Sequence, residues 1–318
     1  MKQKLDVAVL MGGPSPEAEV SRVSAREVAK GLEACGHRAS LLELNAACAA
    51  ALLEQQPDVV FPALHGPPGE DGTVQGFLEM LGLPYVGSGV HGSAVAMDKS
   101  LAKAVFRRQD LPVAEEIVVA PGDDLETAES RIVERLGTRV VIKPLRQGSA
   151  LGVTRLANGG DLRGAMKAAL SYGHGILVEP YIQGREITVG VLDPEGEPAR
   201  ALPVIEIRTA ADEWYDYANR YTAGKSEHLI PAPLPEALAL ELQDIALRAH
   251  GSLGLRDLSR ADFLLTDANE PVLLEVNTLP GMTPTSLYPD GAAAAGTPFA
   301  DLVSLLVSSA HRRGPVPG

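Results

Sequence analysis

Cysteine is nearly absent: Cys35 and Cys48 are the only two in 318 residues. They have neither a zinc-ligand spacing nor enough partners for a disulfide framework, which excludes a stapled secreted scaffold and fits a reducing cytoplasm. Both read as small buried hydrophobes. Long hydrophobic runs are missing as well. The apolar run Val7 to Met11 follows Asp6 and ends at Gly12-Gly13, too short for a signal peptide or a membrane span, so it reads as a first buried strand and no membrane is expected. Positive charge is in deficit: 28 Lys and Arg against 41 Asp and Glu give a net charge of -13. With no basic cluster to offset it, a phosphate backbone would be repelled, and nucleic acid is excluded as a partner. Internal repeats are lacking too.

What is there is a soluble globular composition, 45% hydrophobic and 22% charged, with 32 glycines and 24 prolines. A chain this long is expected to build two or three domains. Leu5 to Met11, a glycine-proline loop, and then Val20, Val23, Val28 and Leu32 at helical spacing read as strand, loop and helix. Alternation continues with a strand near 39–44, a helix near 46–55, a strand at 59–63 and a helix after Asp71, a doubly wound α/β unit. The next stretch reads as a helix over 101–109, strands at 118–119, 140–143, 152–156 and 176–179, and a helix over 162–171. From about Arg185 strands at 186–192 and 201–207, a polar loop at 214–226, a helix over 235–251 and a strand hairpin predict a sheet-rich unit. The divisions are 1–98, 99–184 and 185–318. The tail from His311, with its glycine and prolines, is expected to be frayed.

The strongest local signal is Asp262, Glu275 and Asn277. A four-residue loop over 267–270 would set Thr266 opposite Pro271 and Asp262 opposite Glu275. Asn277 then shares their face, while Phe263, Leu265, Leu274 and Val276 point away. Two facing carboxylates repel unless a cation lies between them, and hard oxygen ligands suit Mg²⁺. A solvated sheet face is the alternative reading. A second signal is the buried strand 140–143 ending in Lys143, followed by Gly148-Ser149-Ala150-Leu151-Gly152. Such a loop can lay amides over phosphates, or it can be an ordinary hairpin. Gly87 to Gly92 matches a dinucleotide fingerprint but lies at the end of the first unit, and Gly224-Lys225-Ser226 lacks the first glycine of a phosphate loop. His65 to Gly72 follows a buried strand at the sheet's carboxyl edge, where open α/β folds bind ligands.

Taken in order, GGPSPEAEVS from Gly12, HGPPGEDGT from His65, MDK from Met97, KPLRQGSALG from Lys143, YDYANRY from Tyr215 and EVNTLPGMTPTSL from Glu275 resemble the D-alanine:D-alanine ligases over nearly the whole chain. The resemblance implies a three-domain ATP-grasp fold: an amino-terminal doubly wound α/β domain, a central small α+β domain, and a carboxy-terminal sheet-rich α+β domain. It also implies that two D-alanines are joined through an acyl phosphate to supply peptidoglycan, with D-alanine and ATP as substrates. Lys99 and Lys143 then meet phosphates, Glu179 and the backbone at Tyr181 and Ile182 meet adenine, Glu186 meets ribose, and Arg220 lies in the lid beside ATP. Asp262, Glu275 and Asn277 would hold two Mg²⁺ ions, with Mn²⁺ able to substitute. Glu17 and His65 take the first D-alanine, Tyr215 lies in the substrate loop, and Ser286 with the Leu287 backbone takes the second carboxylate. Arg260 and the Gly281 amide suit the oxyanion, with Arg260 on the face of Asp262 two residues on. Tyr221, Ser149 and Glu17 resemble the family's hydrogen-bonded triad.

The departures are Ala18 for a larger histidine or arginine, Pro67-Pro68 for a glycine-like turn, Ala150 for serine, Arg220 for lysine and Tyr181 for tryptophan. None removes a residue that the chemistry needs. Rivals are a ligase taking D-lactate or D-serine second, another ATP-grasp carboxylate-amine ligase, and a silent nucleotide-binding regulator. Tyr221 favours the dipeptide. The resemblance also implies a homodimer.

Overall fold

The computed structural model of the protein describes residues 4–209 and 224–315. It opens with β1 (Asp6–Met11), α1 (Ala18–Ala34), β2 (Arg38–Glu43), α2 (Cys48–Gln55), β3 (Val59–Pro62) and α3 (Thr73–Met80), close to the boundaries that periodicity predicts. The strands form a parallel sheet ordered β2-β1-β3. Helices cover both faces, so β1 reads as a continuous apolar run rather than an alternating one. Ala8 and Leu10 pack with Cys48, Leu52, Val74 and Leu78 of α2 and α3. Val7 and Val9 share a second core with Ala25, Val28 and Leu32 of α1 and with residues 302–310 near the carboxyl end.

Next come α4 (Val90–Met97) and α5 (Lys99–Arg108). The glycines of 87–92 open α4 and are no dinucleotide loop: a Cβ on Gly92 would lie 2.8 Å from Leu255 Cδ2 and 3.1 Å from the Leu253 carbonyl oxygen, so that glycine permits close packing. Asp98 caps α5 by accepting hydrogen bonds from the amides of Ser100 and Leu101. β4 (Ile117–Val119), α6 (Leu125–Leu136), β5 (Val140–Pro144), β6 (Thr154–Leu156), α7 (Leu162–Leu170) and β7 (Ile176–Pro180) follow. The four strands pair antiparallel in the order β4-β7-β5-β6, over a core running from Ile117 to Val178. α6, with Leu125, Ala128, Ile132 and Leu136 at helical spacing, is an element that the sequence reading passed over.

The remainder is β8 (Arg185–Asp193), β9 (Arg200–Ala201), β10 (Ile205–Thr209), β11 (Ser226–Leu229), α8 (Glu236–Ser252), β12 (Asp257–Leu265), β13 (Pro271–Asn277), α9 (Leu287–Ala294) and α10 (Phe299–Arg313). The strand expected over 201–207 is two, β9 and β10, with Pro203 between them, where a missing N–H cannot join a ladder. The sheet is antiparallel, ordered β11-β10-β8-β12-β13 with β9 beside β8. α8 and α5 share its core, which joins Ala102 and Phe106 to Leu242, Ile245, Phe263 and Leu273.

The tail corrects an expectation. Rather than fraying from His311, the chain stays helical through Arg313, because Arg313 has a buried anchor. Its Nη1 donates to Asp257 Oδ1 at 2.8 Å and its Nη2 to Asp257 Oδ2 at 2.7 Å and the Tyr85 carbonyl at 2.9 Å. Asp257 is fully buried and also accepts from the Gly87 amide. The last helix is thereby bolted to the end of the first α/β unit.

Candidate active site

β8, β12 and β13 put the expected metal ligands in one row by register alone. Asp262 pairs with Thr188 on one side and Glu275 on the other, and Arg260 pairs with Gly190 and Asn277. Asp262 therefore faces Glu275 as expected, but by a different route. The ladder closes with Leu265 opposite Pro271 and Phe263 opposite Leu273, and an irregularity between Asp262 and Phe263 restores the Asp262–Glu275 pair. The extra residue is Leu274. It was expected in the core, yet it turns to the cleft with Leu264 while Leu273 takes the core position. A bulge re-aims a side chain in this way without moving the rest of the strand.

Both carboxylates of the row already hold cations. Arg260 grips Asp262 with Nε to Oδ1 at 2.8 Å and Nη2 to Oδ2 at 2.7 Å. Lys99 Nζ lies 3.4 Å from Glu275 Oε2. Asn277 Nδ2 donates to Asp262 Oδ2 at 3.0 Å and Thr188 Oγ1 to Asp262 Oδ1 at 2.6 Å. Carboxylate and amide oxygens suit a hard divalent ion, which would take over negative charge that Arg260 and Lys99 now meet. Among the described residues no cluster of three or more His, Cys, Asp and Glu side chains forms a metal site, so the amide of Asn277 would have to serve as the third ligand.

A cavity of about 180 Å³ opens beside this row between β5 to β7 and the hairpin of β12 and β13. Lys99, Lys143, Tyr181, Ile182, Glu186 and Glu275 line it, with Val141, Val153, Leu264 and Leu274 as apolar walls. This pairing of a greasy slot with lysines at one end suits a planar base with a phosphate tail. Tyr181 is flanked by Arg139 and Arg155, whose guanidinium carbons lie 5.5 and 5.2 Å from the ring centre. Glu179 is elsewhere: it is buried behind the cavity, 2.6 Å from Lys143 and in contact with Lys103. Burial alone would push its carboxyl up, but the two lysines outweigh that and hold it at about 2. Lys143 is raised in turn, the loss of solvation being overcome by Glu179. Lys103, which contacts Glu179, and Thr188, which donates to Asp262, are buried neighbours of the site that the sequence reading missed. Each carried a signal: Lys103 lies one helical turn after Lys99 between Ala102 and Phe106, and Thr188 lies two residues after Glu186 on one strand face.

A smaller cavity, about 50 Å³, adjoins the first and is lined by Glu17, His65, Glu70, Ser149, Arg260, Asn277, Gly281, Ser286 and Leu287 among others. Glu17 at the start of α1 is buried and accepts a hydrogen bond from Ser149 Oγ. Ser149 and Ala150 sit at φ of 46° and 59°, left-handed values that a side chain disfavours, and such strain gathers at functional loops. His65 Nε2 is 3.0 Å from Ser24 Oγ. Burial, with Arg260 nearby, lowers its pKa to about 4, so the ring is neutral at pH 7. Glu70, quoted in its motif without a role, is pushed the other way to about 8 by burial and by Glu17. Ser286 precedes α9, whose first turn can receive a carboxylate. Its hydroxyl meets Thr283 instead, at 2.9 Å from the amide and 2.8 Å from Oγ1. A Cβ on Gly281 would lie 2.7 Å from Ser286 Oγ, so a side chain there would displace that hydroxyl. Tyr215, Arg220 and Tyr221 lie outside the described residues.

The chain is similar to known proteins along nearly its whole length. The family model "D-ala D-ala ligase C-terminus" matches residues 105–308 and "D-ala D-ala ligase N-terminus" matches 37–88. The D-alanine--D-alanine ligase of Moorella thermoacetica is 43% identical over 310 residues, 96% of this chain and 99% of the relative. That of Acidiphilium cryptum is 45% identical over the same shares. Among solved structures, the Bacillus anthracis ligase complexed with ATP superposes with a TM-score of 0.82 at 31% identity, covering 97% of this chain and 98% of that one. The Coxiella burnetii ligase gives the same TM-score at 28% identity, covering 98% and 94%.

Proposed function

The chain belongs to the D-alanine–D-alanine ligase family, and from that membership we propose how its own residues join two D-alanines with ATP. The enzyme is an ADP-forming ligase with an ATP-grasp fold that makes D-alanyl-D-alanine, a peptidoglycan precursor. The observation that carries the assignment of roles is that two cavities of different size meet at one hairpin. Glu275 lines the larger and Asn277 the smaller, and a gap between them is bordered by both residues together with Lys99, Gly148 and Glu70.

ATP takes the larger cavity, with its base against Tyr181 and Ile182, its ribose at Glu186 and its phosphates at Lys99 and Lys143. The first D-alanine lies at Glu17 and His65, and the second places its carboxylate at Ser286 and the Leu287 amide. A carboxylate oxygen of the first D-alanine bonds to the γ-phosphorus as the bond to ADP breaks. The second amine, having lost a proton, then attacks the acyl carbon, and phosphate leaves with that oxygen. Arg260, fixed in direction by Asp262, and the amide of Gly281 stabilise the oxyanion between these events. Asp262, Glu275 and Asn277 hold Mg²⁺, which when bound neutralises phosphate charge.

We divide the chain at 1–98, 99–184 and 185–318. The separate core of β4 to β7 supports a central unit, although α5 packs with α8. A cytoplasmic site of action follows from the use of ATP and the free thiols of Cys35 and Cys48. Among the described residues no single helix is long and apolar enough to cross a membrane. A homodimer would cover Leu53 and Met80, exposed on helices over one face of the first sheet.

The acyl phosphate route is tested with D-alanine carrying ¹⁸O in its carboxylate. Label in the released phosphate is expected, and unlabelled phosphate alongside dipeptide would contradict it.

A further inference from the structure

The most heavily buried cation in the described chain has no part in that scheme. Lys103 is 1% exposed, comparable to the leucines around it. Burying an ammonium is costly unless partners replace its water. Here they do: Nζ contacts Glu179 Oε1 and lies 3.3 Å from Glu116 Oε2, which Arg107 contacts from the far side. Glu179 passes the chain on through its other oxygen to Lys143, at 2.6 Å. Three cations therefore share two carboxylates. The excess positive charge emerges where the cluster opens, at Lys143 on the cavity wall.

The connectivity matters as much as the charge. α5 packs with α8 and the large sheet, whereas Glu179 stands on β7 of the central sheet. α5 also carries Lys99, which reaches Glu275 on β13. One helix thus sends a lysine to each wall of the cleft, one turn apart.

We propose that Lys103 is a positioning residue for ATP: by holding one oxygen of Glu179 it fixes Lys143 on the cavity wall and leaves Lys143 charge to spend on phosphate. Without Lys103 the Glu179 carboxylate closes wholly on Lys143, and the bridge between the two walls is lost. This rests on the reading of the larger cavity as the ATP site.

The test uses the full chain with Lys103→Met, Lys103→Arg and the double variant Lys103→Met/Glu116→Gln, which removes a buried cation and anion together. ADP binding is measured by calorimetry, KM for ATP and for D-alanine by kinetics, and Tm by melting. Lys103→Met, or the double variant should the single one not fold, is expected to bind ADP at least about tenfold more weakly, with KM for D-alanine changed less than about twofold. Lys103→Arg recovers part of the affinity. A lower Tm with unchanged ADP affinity overturns the proposal. So does failure of both methionine variants to fold while Glu116→Gln binds ADP normally, since Lys103 would then serve the fold alone. Wild-type protein that binds no ADP would instead remove the reading of the cavity.

Discussion

Ser149 Oγ donates to Glu17 Oε1 across 132 residues of chain, tying the glycine loop of the central sheet to the first turn of α1. The hydrogen bond closes one wall of the smaller cavity and holds the carboxylate that we propose faces the first D-alanine. Ser149→Ala keeps a side chain at the same left-handed φ and so removes little but the hydroxyl. A hydrogen bond to a charged group contributes about 1.5–3 kcal/mol, which predicts a fall in kcat/KM of about 10- to 100-fold. Steady-state kinetics in D-alanine checks it, and an unchanged kcat/KM would show the contact to be incidental.

The row Thr188, Asp262, Glu275 should control the response to metal. Asp262→Asn also frees Arg260 from its bidentate partner, so it strikes the oxyanion and the metal together. We expect kcat to fall by at least about 100-fold. Glu275→Gln leaves Arg260 in place and should instead raise the Mg²⁺ concentration needed for half-maximal rate. Titrating Mg²⁺ against phosphate release separates the two, and a chelator should stop release altogether.

The hairpin shows how far the sequence was legible. The period of two and an assumed turn brought Asp262 opposite Glu275, and that pairing is in the structure. The turn closes one residue earlier than assumed, with the Thr266 amide meeting the Glu270 carbonyl, and a bulge absorbed the difference, so Leu274 alone faced the wrong way. Bulges leave little mark in a run of aliphatic residues, since Leu273 and Leu274 have the same chemistry and only packing chooses between them. The first α/β unit was legible because its helices and strands differ in period. Lys103 and Arg313 were harder to place, because a lone charged residue on a helix reads as surface until its buried partner, 76 or 56 residues away, is brought to it.

Arg313 gives a stability prediction far from the chemistry. Removing one partner of a buried ion pair leaves the other uncompensated, at a cost of about 3–5 kcal/mol. Arg313→Ala should therefore lower Tm markedly, whereas truncation after Gly314 should not. Chemical denaturation measures both, and equal stability of Arg313→Ala and wild type would show that Asp257 does not anchor the last helix.

His65 sets an acid limit. Its folded pKa of about 4 lies below the ordinary 6.5 because burial, with Arg260 nearby, disfavours the imidazolium. The unfolded chain therefore takes up the proton first, so this contribution is intact above pH 6.5 and is lost as pH falls towards 4. Glu70, raised to about 8, acts in the opposite sense: its contribution is full below 4.5 and fades as pH rises through 8. His65→Asn should flatten the decline in stability between pH 6.5 and 4 and leave the alkaline side alone. Thermal melts across that range check it, and an unaltered acid slope would assign the loss to other groups.

Phosphate release from ATP, with and without D-alanine and with the product identified by mass, tests the central claim most directly. The account predicts release that depends on D-alanine, is not supported by L-alanine, and matches D-alanyl-D-alanine mole for mole even when D-lactate is present. Release that ignores D-alanine, or a depsipeptide as the main product, would contradict it.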